Sequence, residues 1–293
     1  MRKTFVEVVS KSFSISEQPY LLLGDIGVFG FSKLHEEFPK RVINVGIMEQ
    51  AMIGIASGLA MKGEIPTIHT IAPFMVERAL EQIKVDFGYQ GLPGNFVSVG
   101  ASFDYAALGC THHCPADISL ISTIPNSKIY VPGNAKEFAA QYLNHWDDGN
   151  LNYFRLSETG HSVDLPDFNS GIHKVKSGSL ASVFVVGPML EQTFEATSNI
   201  DVDLYYINEL SNSLFKDVPD IDIKSLVIIV EPYYSGPLTN LLIESPYLKQ
   251  NKIRQIGVPR EFLNNYGTQS DHLSSLRLDA DGIKSRIELM LNE

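Results

Sequence analysis

Asn44-Val45-Gly46-Ile47-Met48-Glu49-Gln50 runs directly into Ala51-Met52-Ile53-Gly54-Ile55-Ala56-Ser57-Gly58-Leu59-Ala60, and the reading of this stretch decides the fold. Val42-Ile43-Asn44-Val45 has the continuous apolar character of a buried strand. From Glu49 to Lys62 the apolar residues Met52, Ile53, Ala56, Leu59 and Ala60 recur at helical spacing, and Gly63 follows as a helix stop. The order is strand, tight turn, helix, with a carboxylate in the first helical turn. In an open parallel sheet that position lies at the carboxyl edge, where α/β folds bind ligands. On pattern alone, Glu49 also complements the helix macrodipole, so a ligand role and a helix-end role both stand. Gly46, Gly54, Ala56, Gly58 and Ala60 are small enough to let another backbone approach closely.

Outward from this unit the alternation repeats. Leu21–Leu23 precedes it as a strand. Ile65–Ile68, a helix from about Phe74 to Tyr89, a strand Asn95–Val99, a short helix near Asp117, a strand Lys128–Val131, a helix Ala135–His145 and a strand Leu151–Leu156 follow it. Between Glu158 and Ser179 the chain is polar and broken by Gly160, Pro166, Gly171 and Gly178, which marks a linker. Strand candidates then resume at Leu180–Val186, Val202–Ile207, Leu226–Glu231 and Lys252–Ile256, with helices suited to Met189–Thr197 and Pro237–Ile243. The expectation is an α/β protein of two domains, each a mainly parallel sheet flanked by helices: residues 1–160, a linker 161–178, and a smaller domain 179–293.

The chain's 293 residues are ample for two cores. A net charge of −11 opposes binding to nucleic acid or an anionic membrane, and no apolar run is long enough to span a bilayer. Two cysteines, Cys110 and Cys114, make no disulfide framework and suit a reducing cytoplasm. Cys110-Thr111-His112-His113-Cys114 offers zinc-type ligands, but four side chains in five residues converge poorly on one ion. Gly24-Asp25-Ile26-Gly27 follows a strand without the spacing of a dinucleotide fingerprint, which leaves Asp25 as a turn residue or a ligand contact.

Gly46-Ile47-Met48-Glu49-Gln50 with its Gly/Ala-rich helix resembles the pyrimidine-binding domain of the transketolase family. The resemblance continues in order through Phe74 and the Arg-Ala-x-Glu-Gln-Ile run, Thr111-His112-His113, Asp117–Ile121, Ile124-Pro125-Asn126 and Val131-Pro132-Gly133-Asn134. It covers essentially the whole chain and implies the C-terminal half of such an enzyme as a separate subunit. The family's cofactor is thiamine diphosphate. The resemblance makes Glu49 the glutamate that shares a proton with a pyrimidine ring nitrogen, Phe74 the aromatic stacked on that ring, and Asp25 an acid near the cofactor. It makes His112 a substrate contact or proton carrier and His113 a second polar contact. Arg155, at a strand end, is expected to meet an anionic substrate group.

Departures accompany the matches. Ile71 stands where a further aromatic is usual, Gly100 where a histidine is usual, Leu108 where an acid reads a hydroxyl, and Glu158 where an arginine reads a sugar phosphate. Ketose-phosphate recognition of the ordinary kind is therefore not expected. No Gly-Asp-Gly occurs in the sequence. The resemblance thus implies that an N-terminal partner subunit carrying a Gly-Asp-Gly…Asn motif holds the diphosphate and Mg2+, in an α2β2 assembly that includes self-association of this chain. The function implied is transfer of a two-carbon ketol or acyl unit between carbonyl compounds. The alternatives are the beta subunit of a 2-oxo acid dehydrogenase or decarboxylase, or a silent subunit that scaffolds a catalytic partner.

Overall fold

The computed structural model describes residues 1–165, 171–211, 214–215, 221–248 and 250–293. Helix α1 (Arg2–Ile15) leads into β1 (Pro19–Leu23), α2 (Ser32–Glu37), β2 (Val42–Asn44), α3 (Glu49–Ala60) and β3 (Ile65–Ile71). There follow α4 (Arg78–Gln82), β4 (Gly94–Val99), α5 (Asp117–Ile121), β5 (Lys128–Tyr130), α6 (Ala135–His145) and β6 (Leu151–Arg155). The rest comprises β7 (Ile172–Lys176), β8 (Ser182–Val186), α7 (Leu190–Ala196), β9 (Asp203–Ile207), β10 (Glu209–Leu210), β11 (Leu226–Tyr234), α8 (Pro237–Ile243), β12 (Lys252–Val258), α9 (Gln269–Ser275) and α10 (Ala280–Leu291).

The strands form two sheets, ordered β10-β5-β6-β4-β3-β1-β2 and β12-β11-β8-β9-β7. Every pairing is parallel except β10 on β5 and β7 on β9. The α/β expectation holds, and its reason shows in β4, β6, β8 and β9, whose residues are all buried, as strands covered on both faces must be. Helix α3 presses Met52, Ile53, Ala56 and Ala60 into the core. Helix α1, which the strand–helix alternation did not require, buries Phe5, Val8, Val9 and Phe13 in one core cluster with Phe138 and Tyr142 of α6.

Three features differ from the sequence reading. Residues 172–176, expected within the linker, form the edge strand β7, because an antiparallel edge tolerates polar residues that a central strand does not; residues 166–170 of that linker lie outside the described residues. Strand β10 leaves the second set of strands and joins the first sheet, so the two sheets share a crossing segment. Glu137 of α6 reinforces that seam, accepting from the Tyr206 hydroxyl (2.6 Å), Asn208 Nδ2 (2.8 Å) and the Gly133 amide (2.9 Å), with His161 Nε2 at 2.8 Å. Finally, the helix expected from Phe74 to Tyr89 is a short α4 between two π-helical turns, Pro73–Glu77 and Ile83–Tyr89. No helix among the described residues is long and apolar enough to cross a membrane.

Candidate active site

In the first sheet the parallel register lines up strand ends, with Leu23 level with both Asn44 and His69, Ile71 with Val99, and Ser98 with Arg155. The loops leaving those ends carry Asp25, Glu49, Phe74, Gly100 and Glu158. Residues far apart in sequence thus reach one edge because each follows a strand end by a few positions. Asn44 links two of these loops: its Oδ1 accepts from the Asp25 amide (3.0 Å) and the Gly46 amide (3.1 Å), and its Nδ2 donates to Asp25 Oδ1 (3.1 Å). Asp25 is exposed, with a left-handed backbone at φ 61°.

Glu49 is 1% exposed. Its Oε2 accepts from Arg78 Nη1 at 2.7 Å, while Oε1 is buried without a partner among the described residues. A buried polar atom left unpaired costs about 1–3 kcal/mol, so Oε1 marks a place for an external donor. Arg78 was legible in the Arg-Ala-x-Glu-Gln-Ile run, but nothing in that run says it meets Glu49. The π-helical turn brings them together, since its i→i+5 bond from the Arg78 amide to the Pro73 carbonyl re-aims the side chains that follow. The guanidinium also lies over the Phe74 ring, with Cζ 4.2 Å from the centroid.

The half-buried Phe74 ring meets His112 edge-on at 5.3 Å, and His112 meets Tyr105 at 6.1 Å. His112 Nδ1 is 3.0 Å from the Thr111 hydroxyl. Tyr105 is tied to Gly100, whose φ of +77° favours glycine and whose added Cβ would lie 2.4 Å from the Tyr105 ring. Here a tyrosine from the following loop fills the space that a side chain at position 100 would need. Ile71 borders the same space, its Cγ2 3.1 Å from that Cβ position. Glu158 is paired with Arg2, Oε1 to Nη2 at 3.1 Å, and Arg2 also donates to the Tyr105 hydroxyl. No local pattern in the chain signals that Arg2 reaches this edge. Leu108 is exposed on the loop before His112.

Two expected substrate contacts have other partners. Arg155 is fully buried, donating from Nε to Asp117 Oδ2 (2.7 Å) and from Nη2 to the Ser102 hydroxyl (2.6 Å), with its guanidinium over Tyr233. Burial of so strong a charge needs such pairing, and that commits the guanidinium to the protein's own loops. His113 packs edge-on against His272 at 5.3 Å and lines a cavity of 70 Å³ with Cys110, Glu77 and Phe262. Burial, with His272 and His112 adding to it, pushes its imidazole below the usual value. Asp104 accepts from the Ala101 and Glu158 amides, the Ser157 hydroxyl and Gln269 Nε2; burial outweighs these bonds and lifts its carboxyl to about 7. Among the described residues no three His, Cys, Asp or Glu side chains gather to hold a metal ion.

A buried carboxylate oxygen without a partner among the described residues, at Glu49, and the half-buried ring of Phe74 have the chemistry to take an aminopyrimidine ring, and His112 stands edge-on beside Phe74. Residues 26–159 match the family model described as the transketolase pyrimidine binding domain. An uncharacterised 33.6 kDa protein of the fasciation locus of Rhodococcoides fascians is 34% identical over 296 residues, covering 99% of this chain and 95% of that protein. The 1-deoxy-D-xylulose-5-phosphate synthase of Histophilus somni is 26% identical over 274 residues, 90% of this chain but only 44% of the synthase, so the chain spans less than half of that relative. A solved structure described as a split gene transketolase, inactive beta4 tetramer, superposes with a TM-score of 0.83 at 21% identity, covering 99% of this chain and 97% of that one. Together with the Glu49 edge, these likenesses establish that the chain belongs to the transketolase family and corresponds to its C-terminal half.

Proposed function

We propose that this chain is the C-terminal subunit of a two-component, thiamine-diphosphate-dependent transferase that moves a two-carbon ketol or acyl unit between sugar-derived carbonyl compounds. The observation that carries this reading is Glu49, buried at the sheet edge with one carboxylate oxygen held by Arg78 and the other unpaired. When bound, thiamine diphosphate supplies the thiazolium carbon at which the two-carbon unit is taken up and released. Glu49 Oε1 holds a proton at a pyrimidine ring nitrogen, and Arg78 fixes the carboxylate while Phe74 covers the ring. His112, with Nδ1 beside Thr111, presents Nε2 to substrate oxygens and can move a proton there. Asp25 borders the cofactor. Arg155 and His113 serve this site by fixing the loops that carry His112 and Glu158.

A partner subunit with a Gly-Asp-Gly…Asn motif holds the diphosphate and Mg2+, which the sequence of this chain has no such motif to bind. Support for association comes from an exposed apolar group at Ile47, Met48, Ile55, Val85 and Tyr89 on and beside α3. The assembly is an α2β2 tetramer of the cytoplasm in which copies of this chain also meet, and Cys110 and Cys114 stay there as free thiols.

The test is Glu49→Gln in the complex with the partner. An amide cannot share the proton, so hydrogen–deuterium exchange at the thiazolium carbon is expected to slow by about 10²-fold or more with the fold intact. Exchange at the wild-type rate would reduce Glu49 to a helix-end carboxylate. Calorimetry adds a check on the half-site: submicromolar binding of the cofactor to this chain alone, about −8 kcal/mol or better, would overturn the need for a partner.

A further inference from the structure

Residues from the second sheet and its connections grip the loop that carries His112. The Tyr234 amide donates to the Pro115 carbonyl at 2.9 Å, the Ser102 hydroxyl donates to the Pro232 carbonyl, and Tyr266 lies over Gly109, where an added Cβ would come within 2.8 Å of its ring. One further contact reaches an ionisable group. At the start of α9, just after the Thr268 cap, Gln269 Nε2 donates to Asp104 Oδ1 at 2.6 Å and lies 3.3 Å from the Thr159 hydroxyl. Oδ1 also accepts from the Ser157 hydroxyl (3.1 Å), and Oδ2 accepts from the Ala101 and Glu158 amides (both 3.0 Å). A single carboxylate therefore ties together the loop after β4, the loop after β6 and the start of α9.

Ionised, Asp104 accepts from all four neutral donors; protonation puts a hydrogen on one oxygen, where it faces donors. The Arg155 charge favours the ionised form and the Glu158 carboxylate, itself paired with Arg2, opposes it. Tyr105 stands next in the chain. Glu191 lines the same cavity but is engaged with Ser162, and Asp271 of α9 is turned to the Thr268 cap. Burial outweighs the bonds and holds the carboxyl at about 7, so losing one donor changes its state near neutral pH. The anchor reaches His112 through successive tight turns: the Asp104 amide donates to the Ala101 carbonyl (2.9 Å), that of Leu108 to Tyr105 (2.9 Å) and that of His112 to Gly109 (3.0 Å). We propose that Gln269 is a positioning residue for His112: it holds Asp104 in the four-bonded, ionised form and so fixes the His112 loop against α9. The proposal rests on the transferase reading only for the use to which His112 is put.

Backbone NMR on the full chain between about pH 5 and about pH 9 reads both parts of the device. The Ala101 and Glu158 amide protons shift as Asp104 titrates, and exchange of the Leu108 and His112 amides, corrected for the intrinsic effect of pH, reports the loop. Gln269→Leu is expected to raise the Asp104 midpoint by about half a pH unit or more, roughly a threefold change in proton affinity, and Gln269→Glu to raise it further through like charge. In each protein, protection of the Leu108 and His112 amides is expected to fall about threefold or more as the pH drops through that protein's own midpoint, while the amides of β8 keep theirs. Gln269 is only partly buried, so both variants are expected to keep the fold. A residue that merely packs would leave the midpoint in place. An unmoved midpoint in both variants, or flat loop protection while Asp104 titrates, would overturn the proposal. The expected shifts in a chain whose Glu49→Gln complex exchanges at the wild-type rate would leave this proposal standing and sink the catalytic reading instead.

Discussion

At the scale of single residues, the decisive contact is the one between Glu49 and Arg78. A carboxylate removed from water is stable as an ion only beside a compensating charge, and the half-exposed guanidinium supplies it at 2.7 Å. Arg78→Gln removes that charge and leaves Glu49 buried with both oxygens short of partners. Because Arg78 retains contact with solvent, the expected loss of stability is moderate, about 1–3 kcal/mol, read as a lower denaturant midpoint with unchanged slope. Arg78→Lys should recover part of it. A midpoint equal to the wild type would show that the ion pair carries no weight. The sequence displayed both residues and their motifs; it did not display the pairing, because that depends on the π-helical turn that re-aims Arg78.

Among the elements, β3 shows how a strand contributes an ionisable group to the core. His69 is buried, its Nδ1 2.8 Å from the Val97 carbonyl on β4. Burial lowers its pKa to about 4; the Val97 bond opposes the shift and the nearby Arg2 charge adds to it. An unfolded chain binds this proton near pH ~6.5, the folded chain only near 4. The stabilising contribution is therefore complete above pH ~6.5 and is lost as the pH falls through that window towards 4, up to about 3 kcal/mol in all. Denaturant titrations of the wild type and His69→Gln at about pH 7.5 and about pH 4.5 should show a shallower acid loss in the variant. Parallel losses would place the acid sensitivity elsewhere. Element boundaries were legible where periodicity was strong, as in α6, found at Ala135–His145 as expected. They were not legible at α1 and α10, whose amphipathic faces become meaningful only against the strands and helices they cover.

For the whole molecule, the exposed apolar face around α3 sets the expectation for assembly. Ile55 is exposed on the same helix whose opposite face is core, flanked by Gly54 and by Gly58, which has open space around it among the described residues. Ile55→Asp should leave the monomer folded and weaken self-association at least tenfold, about 1.4 kcal/mol, seen as a shift to lower mass in sedimentation velocity. An unchanged distribution would move the interface elsewhere. The sequence by itself determined the α/β class, most of the parallel strands and the family likeness, because alternating apolar periods and short collinear motifs are local properties of the chain. Tertiary structure alone decided that Arg78 meets Glu49, that Tyr105 fills the space beside Gly100, that Arg155 is spent on Asp117 and Ser102, and that Arg2 reaches Glu158. All but the Tyr105–Gly100 contact join residues far apart in the chain, and the geometry of such a meeting is fixed by sheet register and loop path, which no local pattern of residues encodes.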